Sequence, residues 1–292
     1  MLFKQIICHT YNLIWIGSVL FIPAESRKTK APKWYYKKTD TVLQKEDEIL
    51  PTGKHTGTIF FLHGLGGTGK SFRQTFESMK TIGGLPIPHP YLKLVFLTAP
   101  YGPCKAFPQE LRVYRWYDIP KIHINASEIL WDYMEYIIWE LKQFAQKENN
   151  EDIHWFRIGM GGFSQGASMA MIAGYSYLWK MGGVFALSGY INYKSGLWES
   201  IFQEMTVRKR HRYPKLFGYH GVKDDMVLYE WGKYTFDELQ SRGIEGEFHS
   251  DPELRHRISV NEAKALFDWL NTTFPAEFRR PTPTWTWTGW YP

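Results

Sequence analysis

The chain has 292 residues, room for one large domain or two modest ones. A hydrophobic share of 44% excludes a disordered chain, and two cysteines, Cys8 and Cys104, exclude both a disulfide framework and a cysteine-built metal site. The net charge of +6 is a mild bias whose one dense run, Arg208-Lys-Arg-His-Arg212, comes with no recognition motif, so it reads as a solvated loop and nucleic acid is not an expected partner.

Residues 13–22 are apolar but too short to span a bilayer. Lys4 before them and Ala24 after them resemble the flanks of a signal peptide, while His9, Thr10 and Asn12 dilute that pattern. The expectation is a cytoplasmic protein, with secretion or anchoring through residues 1–24 as the alternative. Two sequons, Asn125-Ala-Ser127 and Asn271-Thr-Thr273, are compatible with the alternative. Residues 26–40 have no period and read as a linker, and residues 41–50 as a first edge strand. Thr58-Ile-Phe-Phe-Leu62 is a continuous run of β-formers, the pattern of a strand covered on both faces. It ends in His63-Gly-Leu65-Gly-Gly-Thr-Gly69, with a helix predicted over 71–81. Residues 92–97 form another strand, and 101–117 a long loop of the kind that often walls an active site. Apolar spacing predicts a helix over 126–147, then a turn at 148–152.

Trp155, Phe156 and Ile158 suggest a short buried strand leading into Gly162-Phe-Ser164-Gln-Gly166. This is the G-x-S-x-G of a nucleophile elbow, in which a tight strand-to-helix turn exposes the serine hydroxyl. Glycines two residues either side leave out a Cβ that would collide with the neighbouring strand. The small, apolar residues 167–175 suggest a buried helix behind it. Further strands are expected over 183–187, 215–220 and 246–250, and helices over 228–242 and 259–270. Ser259 with Glu262 three residues on makes the capping-box pattern. Strands alternating with helices predict an α/β fold, a mostly parallel sheet with helices on both faces. The domain would run over 41–274, preceded by the apolar segment and linker of 1–40 and followed by an irregular Pro- and Trp-rich tail over 275–292.

The glycine-rich loop carries two competing chemistries. Gly64-Leu-Gly-Gly-Thr-Gly69-Lys70-Ser71 satisfies the phosphate-cradling G-x-x-x-x-G-K-[ST]. A nucleotide-binding protein also needs a magnesium-holding carboxylate at a strand end. None of the strands expected here ends in one. The other reading is an oxyanion hole, with one N–H from Gln165, after the nucleophile, and a second from Leu65 in the earlier loop. A serine needs a base, and the base an orienting carboxylate, in the chain order Ser, acid, His. Asp224 and Asp225 both follow the strand that ends at His220. Of the two later histidines, His249 falls inside a predicted strand and suits a structural role, whereas His256 follows a loop and suits the base. A binding protein on the same fold without catalysis is a third possibility.

Together these residues resemble the acyl-protein thioesterase and lysophospholipase/carboxylesterase family of α/β-hydrolases, most closely its lysophospholipase-like branch. Phe61-Leu-His63-Gly-Leu-Gly-Gly-Thr-Gly69 is similar to the family's F-L-H-G-L-G-D-T-G, Arg115-Trp-Tyr-Asp118-Ile119 to its R-x-W-Y-D-I, and Gly161-Gly-Phe-Ser164-Gln-Gly166 to its G-G-F-S-Q-G. Phe185-Ala-Leu-Ser188-Gly189 is similar to A-L-S-G. The pattern H-G-x-x-D-x-x-V selects Asp224 as the acid, and H-x-x-S/C-x-x-E selects His256 as the base. The likeness covers about residues 50–270 and departs from the family at Gly67, Val222 and Arg255, where Asp, Asp and Gly are usual. It implies the α/β-hydrolase fold and a serine hydrolase of acyl esters or thioesters that works as a monomer or weak homodimer. Ser164, Asp224 and His256 would form the triad, and Leu65 and Gln165 the oxyanion hole. No metal or organic cofactor is implied. The substrate would be an acylated protein, a lysophospholipid or a small ester, with membrane contact only through the substrate or the N-terminal segment. Phe107, Trp116 and Tyr117 would either line an apolar acyl site or pack over the sheet edge.

Overall fold

The structure, a computed structural model, describes residues 43–107, 111–126, 131–193, 195, 198 and 213–277. The N-terminal apolar segment, the basic run at 208–212 and most of the Trp-rich tail lie outside the described residues.

Seven strands form one sheet: β1 (Gln44–Ile49), β2 (Gly57–Leu62), β3 (Leu92–Thr98), β6 (Ile158–Phe163), β7 (Gly183–Leu187), β8 (Lys215–Gly221) and β9 (Gly246–Asp251). Their spatial order is β1-β3-β2-β6-β7-β8-β9. Only β1, at one edge, runs antiparallel, against β3; every other pair is parallel. Among the described residues the α-helices are α1 (Gly69–Gly83), α2 (Trp131–Asn150), α3 (Gln165–Ser176), α4 (Tyr229–Ser241) and α5 (Val260–Thr273). Successive side chains of a strand point to opposite faces, so β2 feeds two cores. Ile59 and Phe61 pack with α1 and α5 on one side, while Phe60 and Leu62 pack with α2, α3 and α4 on the other. Every residue of β2 and β3 is buried, which accounts for their apolar runs over 59–62 and 94–97, while Lys93 inside β3 pairs with the buried Glu148.

Chain order reverses direction across the sheet between β2 and β6. At such a switch point the loops leaving two adjacent parallel strands diverge to opposite faces and open a crevice at their carboxyl ends. The loop after β2 and the serine turn after β6 sit there.

The structure departs from the sequence reading in three places. Trp155–Arg157 is a 3₁₀ turn capped by His154, not strand, and Arg157 is drawn from it to Thr56, donating to the carbonyl at 2.8 Å and to Oγ1 at 2.9 Å. The predicted long loop contains a short hairpin, β4 (Tyr101–Pro103) with β5 (Arg112–Tyr114). The helix expected over 126–147 is described from Trp131 and continues to Asn150. No helix among the described residues is long and apolar enough to cross a membrane.

Candidate active site

Ser164 occupies the turn between β6 and α3 at φ 54°, ψ −121°, a conformation costly for any residue with a Cβ. Its flanking glycines are required by contact. A Cβ at Gly162 or at Gly166 would fall 2.1 Å from the Leu62 carbonyl oxygen, so the turn is wedged against the end of β2. The Ser164 N–H is held by Leu187 O at 2.8 Å. The hydroxyl faces His256, whose Nε2 lies 3.0 Å away, and His256 Nδ1 lies 2.7 Å from Asp224 Oδ2. A carboxylate can only accept, so Nδ1 carries the imidazole proton and Nε2 is left to accept from the serine. That is the tautomer a general base requires.

Two laced loops bring Asp224 and His256 together. Val222 N–H donates to Asp251 O at 2.8 Å and Lys223 N–H to Leu254 O at 3.1 Å, while Lys223 also pairs with Glu253. Gly221 permits this approach, because a Cβ there would lie 2.1 Å from Leu254 O. Asp224 Oδ1 accepts from the N–H groups of Met226 and Val227 at 3.0 and 2.9 Å. His220 Nε2, which donates to Val227 O at 2.8 Å, stands 3.5 Å from Asp224 Oδ2. Burial by itself would push the Asp224 carboxyl up. The hydrogen bonds from His220 and His256, attraction to His256 and the Val227 N–H outweigh it and hold the group well below the usual carboxylate range. Asp225 instead pairs in solvent with Arg255 at 3.2 Å, and His249 stays in β9 with its ring against Phe217 and Tyr219.

On the other side of Ser164 lies the loop after β2. A Cβ on Gly64 would come within 3.4 Å of Ser164 Cβ, so the loop passes directly beside Ser164 just before Leu65. Among the described residues the Leu65 N–H has no acceptor. The Gln165 N–H, first of its helix, has no intrahelical acceptor either. His63, at the strand end, accepts the Ala99 N–H on Nε2 at 3.0 Å, which leaves Nδ1–H to donate to Gly64 O at 2.7 Å. Burial holds the ring down to about 4, so it stays neutral.

The phosphate-loop alternative fails on the same loop. A cradle needs several unspent N–H groups. Gly66 and Gly67 donate to Tyr114 O and Gly64 O, Thr68 to Ser71 Oγ, Gly69 to Thr98 Oγ1 and Ser71 to Thr68 Oγ1. The capping box of α1 takes two of these donors, and Tyr114, Gly64 and Thr98 take the other three. Of the rings in the 101–117 segment, Trp116 and Tyr117 are buried in the core and Phe107, partly buried, packs against it. Among the described residues no three His, Cys, Asp or Glu side chains cluster as metal ligands.

Residue types alone hid three participants. His63 and His220 are each the residue at or just past a strand end that precedes a glycine, a shared pattern that could have marked them. The Gln165 side chain has no such signal.

Residues 45–274 match the model of the phospholipase/carboxylesterase family. The chain belongs to that family. Within it, lysophospholipase-like protein 1 of Mus musculus is 33% identical over 232 residues, 78% of this chain and 92% of that one. Acyl-protein thioesterase 1 homolog 1 of Dictyostelium discoideum is 29% identical over 226 residues, 76% of this chain and 92% of that one. Among solved structures, acyl-protein thioesterase 2 of Zea mays superposes with a TM-score of 0.65 at 26% identity, over 80% of this chain and 99% of that one. The fold is that of the α/β-hydrolases.

Proposed function

We propose that the protein hydrolyses acyl esters or thioesters through Ser164, His256 and Asp224. The observation that carries this reading is the unbroken hydrogen-bond chain from the serine hydroxyl through the imidazole to the buried carboxylate. Ser164 Oγ attacks the carbonyl carbon while its proton passes to His256 Nε2, and Asp224 stabilises the imidazolium that results. The oxygen that gains charge is met by the N–H groups of Leu65 and Gln165. Collapse expels the thiol or alcohol, protonated by His256. Water, deprotonated by the same ring, then attacks the acyl-serine and releases the acid. The names of the relatives suggest the substrates: an acylated protein, a lysophospholipid or a small ester.

A fluorophosphonate probe should label the wild-type protein stoichiometrically, with labelling and p-nitrophenyl ester hydrolysis both abolished in Ser164→Ala. A folded wild-type protein that takes no label would instead be a binding protein on a hydrolase fold. A series of p-nitrophenyl esters of rising chain length, run beside a palmitoyl-thioester, orders the substrates.

A further inference from the structure

An oxyanion donor is useful only if its N–H points at the nucleophile, and the loop that carries Leu65 has little stiffness of its own. Glycines stand at 64, 66 and 67, and glycine accepts many backbone conformations. The Gly64 carbonyl and the Leu65 N–H belong to one planar trans peptide, so they point in opposite directions. Whatever anchors the carbonyl aims the N–H. Here Gly64 O is anchored by His63 Nδ1–H at 2.7 Å and by Gly67 N–H at 3.0 Å.

The anchor is itself tied to the residue after the nucleophile. Trp116 Nε1–H donates to the carbonyl of His63 at 2.7 Å. The strap that carries Trp116 is gripped at two points by the Gln165 side chain: Oε1 accepts the Trp116 N–H at 2.9 Å, and Nε2–H donates to Tyr117 O at 2.9 Å. Gln165, Trp116 and His63 are all buried, so water does not compete for these bonds. Only a carboxamide of this length presents an acceptor and a donor side by side; Glu could only accept, and Met could do neither.

We propose that the side chains of Gln165 and Trp116 are positioning residues that hold the Gly64–Leu65 peptide in the orientation that completes the oxyanion hole. Both hydrogen-bond donors of the hole would then be set from one residue: Gln165 supplies the first from its backbone and secures the second through its side chain. The inference rests on the hydrolase reading above.

The test compares Gln165→Met and Trp116→Phe with wild type, each checked for folding by its melting midpoint. Loss of a whole oxyanion donor costs about 10²–10³ in rate; a misaimed one should cost about 10–100-fold in kcat with KM within about twofold. A boronic acid that forms a tetrahedral adduct on Ser164 should lose affinity by a similar factor, which a merely structural substitution would not cause. The double variant should be no slower than Gln165→Met, because both changes act through one peptide. Folded variants that keep wild-type kcat, that lose only KM, or whose losses multiply in the double variant would overturn the proposal. Should Gln165→Met not fold, Trp116→Phe alone decides, since it keeps an aromatic ring at that position while losing the N–H together with part of the indole. Absence of fluorophosphonate labelling in wild type would sink the hydrolase reading and this inference with it.

Discussion

His63 shows how a residue at the site is constrained by bonds it did not choose. Its Nε2 is committed to the Ala99 N–H and its ring is buried, so a second proton has nowhere to go. A histidine whose folded value is held down to about 4, against about 6.5 when unfolded, weakens the fold as pH falls through that window. The unfolded chain takes up a proton that the folded chain refuses. The loss should reach about 3 kcal/mol near pH 4. His63→Asn can keep a donor near Gly64 O but has no imidazole to titrate, so its urea midpoint should fall less than that of wild type between pH 6.5 and 4. Equal slopes for the two proteins would show that His63 is not the group responsible.

At the scale of an element, α5 illustrates how a pattern can be read while its environment is not. Ser259 and Glu262 form a capping box, with Glu262 N–H to Ser259 Oγ and Ser259 N–H to Glu262 Oε2 both at 3.1 Å. The cap fixes the entry of the helix three residues after His256 and so steadies that side chain. What the spacing of Ser and Glu does not reveal is that Glu262 is fully buried. Burial pushes its carboxyl well above the usual range; the Ser259 N–H opposes this, and the nearby Asp251 and Asp224 reinforce it. A carboxyl with a raised folded value contributes stability that is complete below about pH 4.5 and is lost as pH rises toward the folded value. Glu262→Gln keeps the acceptor for Ser259 N–H and has no charge to bury. Relative to wild type it should therefore gain stability between pH 5 and pH 8, read as a growing difference in urea midpoint. A difference that is constant with pH would mean that the carboxyl is already ionised in the folded protein. The hairpin of β4 and β5 is the opposite case: its composition reads as plain loop, because three-residue strands carry too few alternations to register.

For the molecule as a whole, a folding unit over residues 41–274 is a proposal that burial near its two ends supports. Leu43 and Phe274 are both buried, and a Cβ on Gly159 or on Gly182 would meet the Phe274 ring at 2.7 Å, so the ring is seated against both glycines. We expect a fragment of residues 41–277 to keep its melting midpoint within a few degrees of the full chain and to hydrolyse p-nitrophenyl esters. Phe274→Ala in the same fragment should lose about 3–5 kcal/mol, measured by urea unfolding. A fragment that aggregates or melts far lower would put part of the folding unit outside these limits.

The amino-acid sequence determined by itself what depends on near neighbours. The apolar run at 58–62, the glycines that free the turn around Ser164 and the capping box at Ser259 all follow from backbone sterics and side-chain periodicity within a few residues. Only the tertiary structure decided what depends on groups far apart in the chain. The hydroxyl and the imidazole that meet at 3.0 Å are separated by 92 positions, and the imidazole and its carboxylate by 32. The burial of Trp116, the grip of Gln165 on the strap and the spending of the loop's N–H groups on internal partners are likewise long-range. A hydrogen bond has a direction and a length that no local pattern encodes, and these were set when the strands aligned their carboxyl ends along one edge of the sheet.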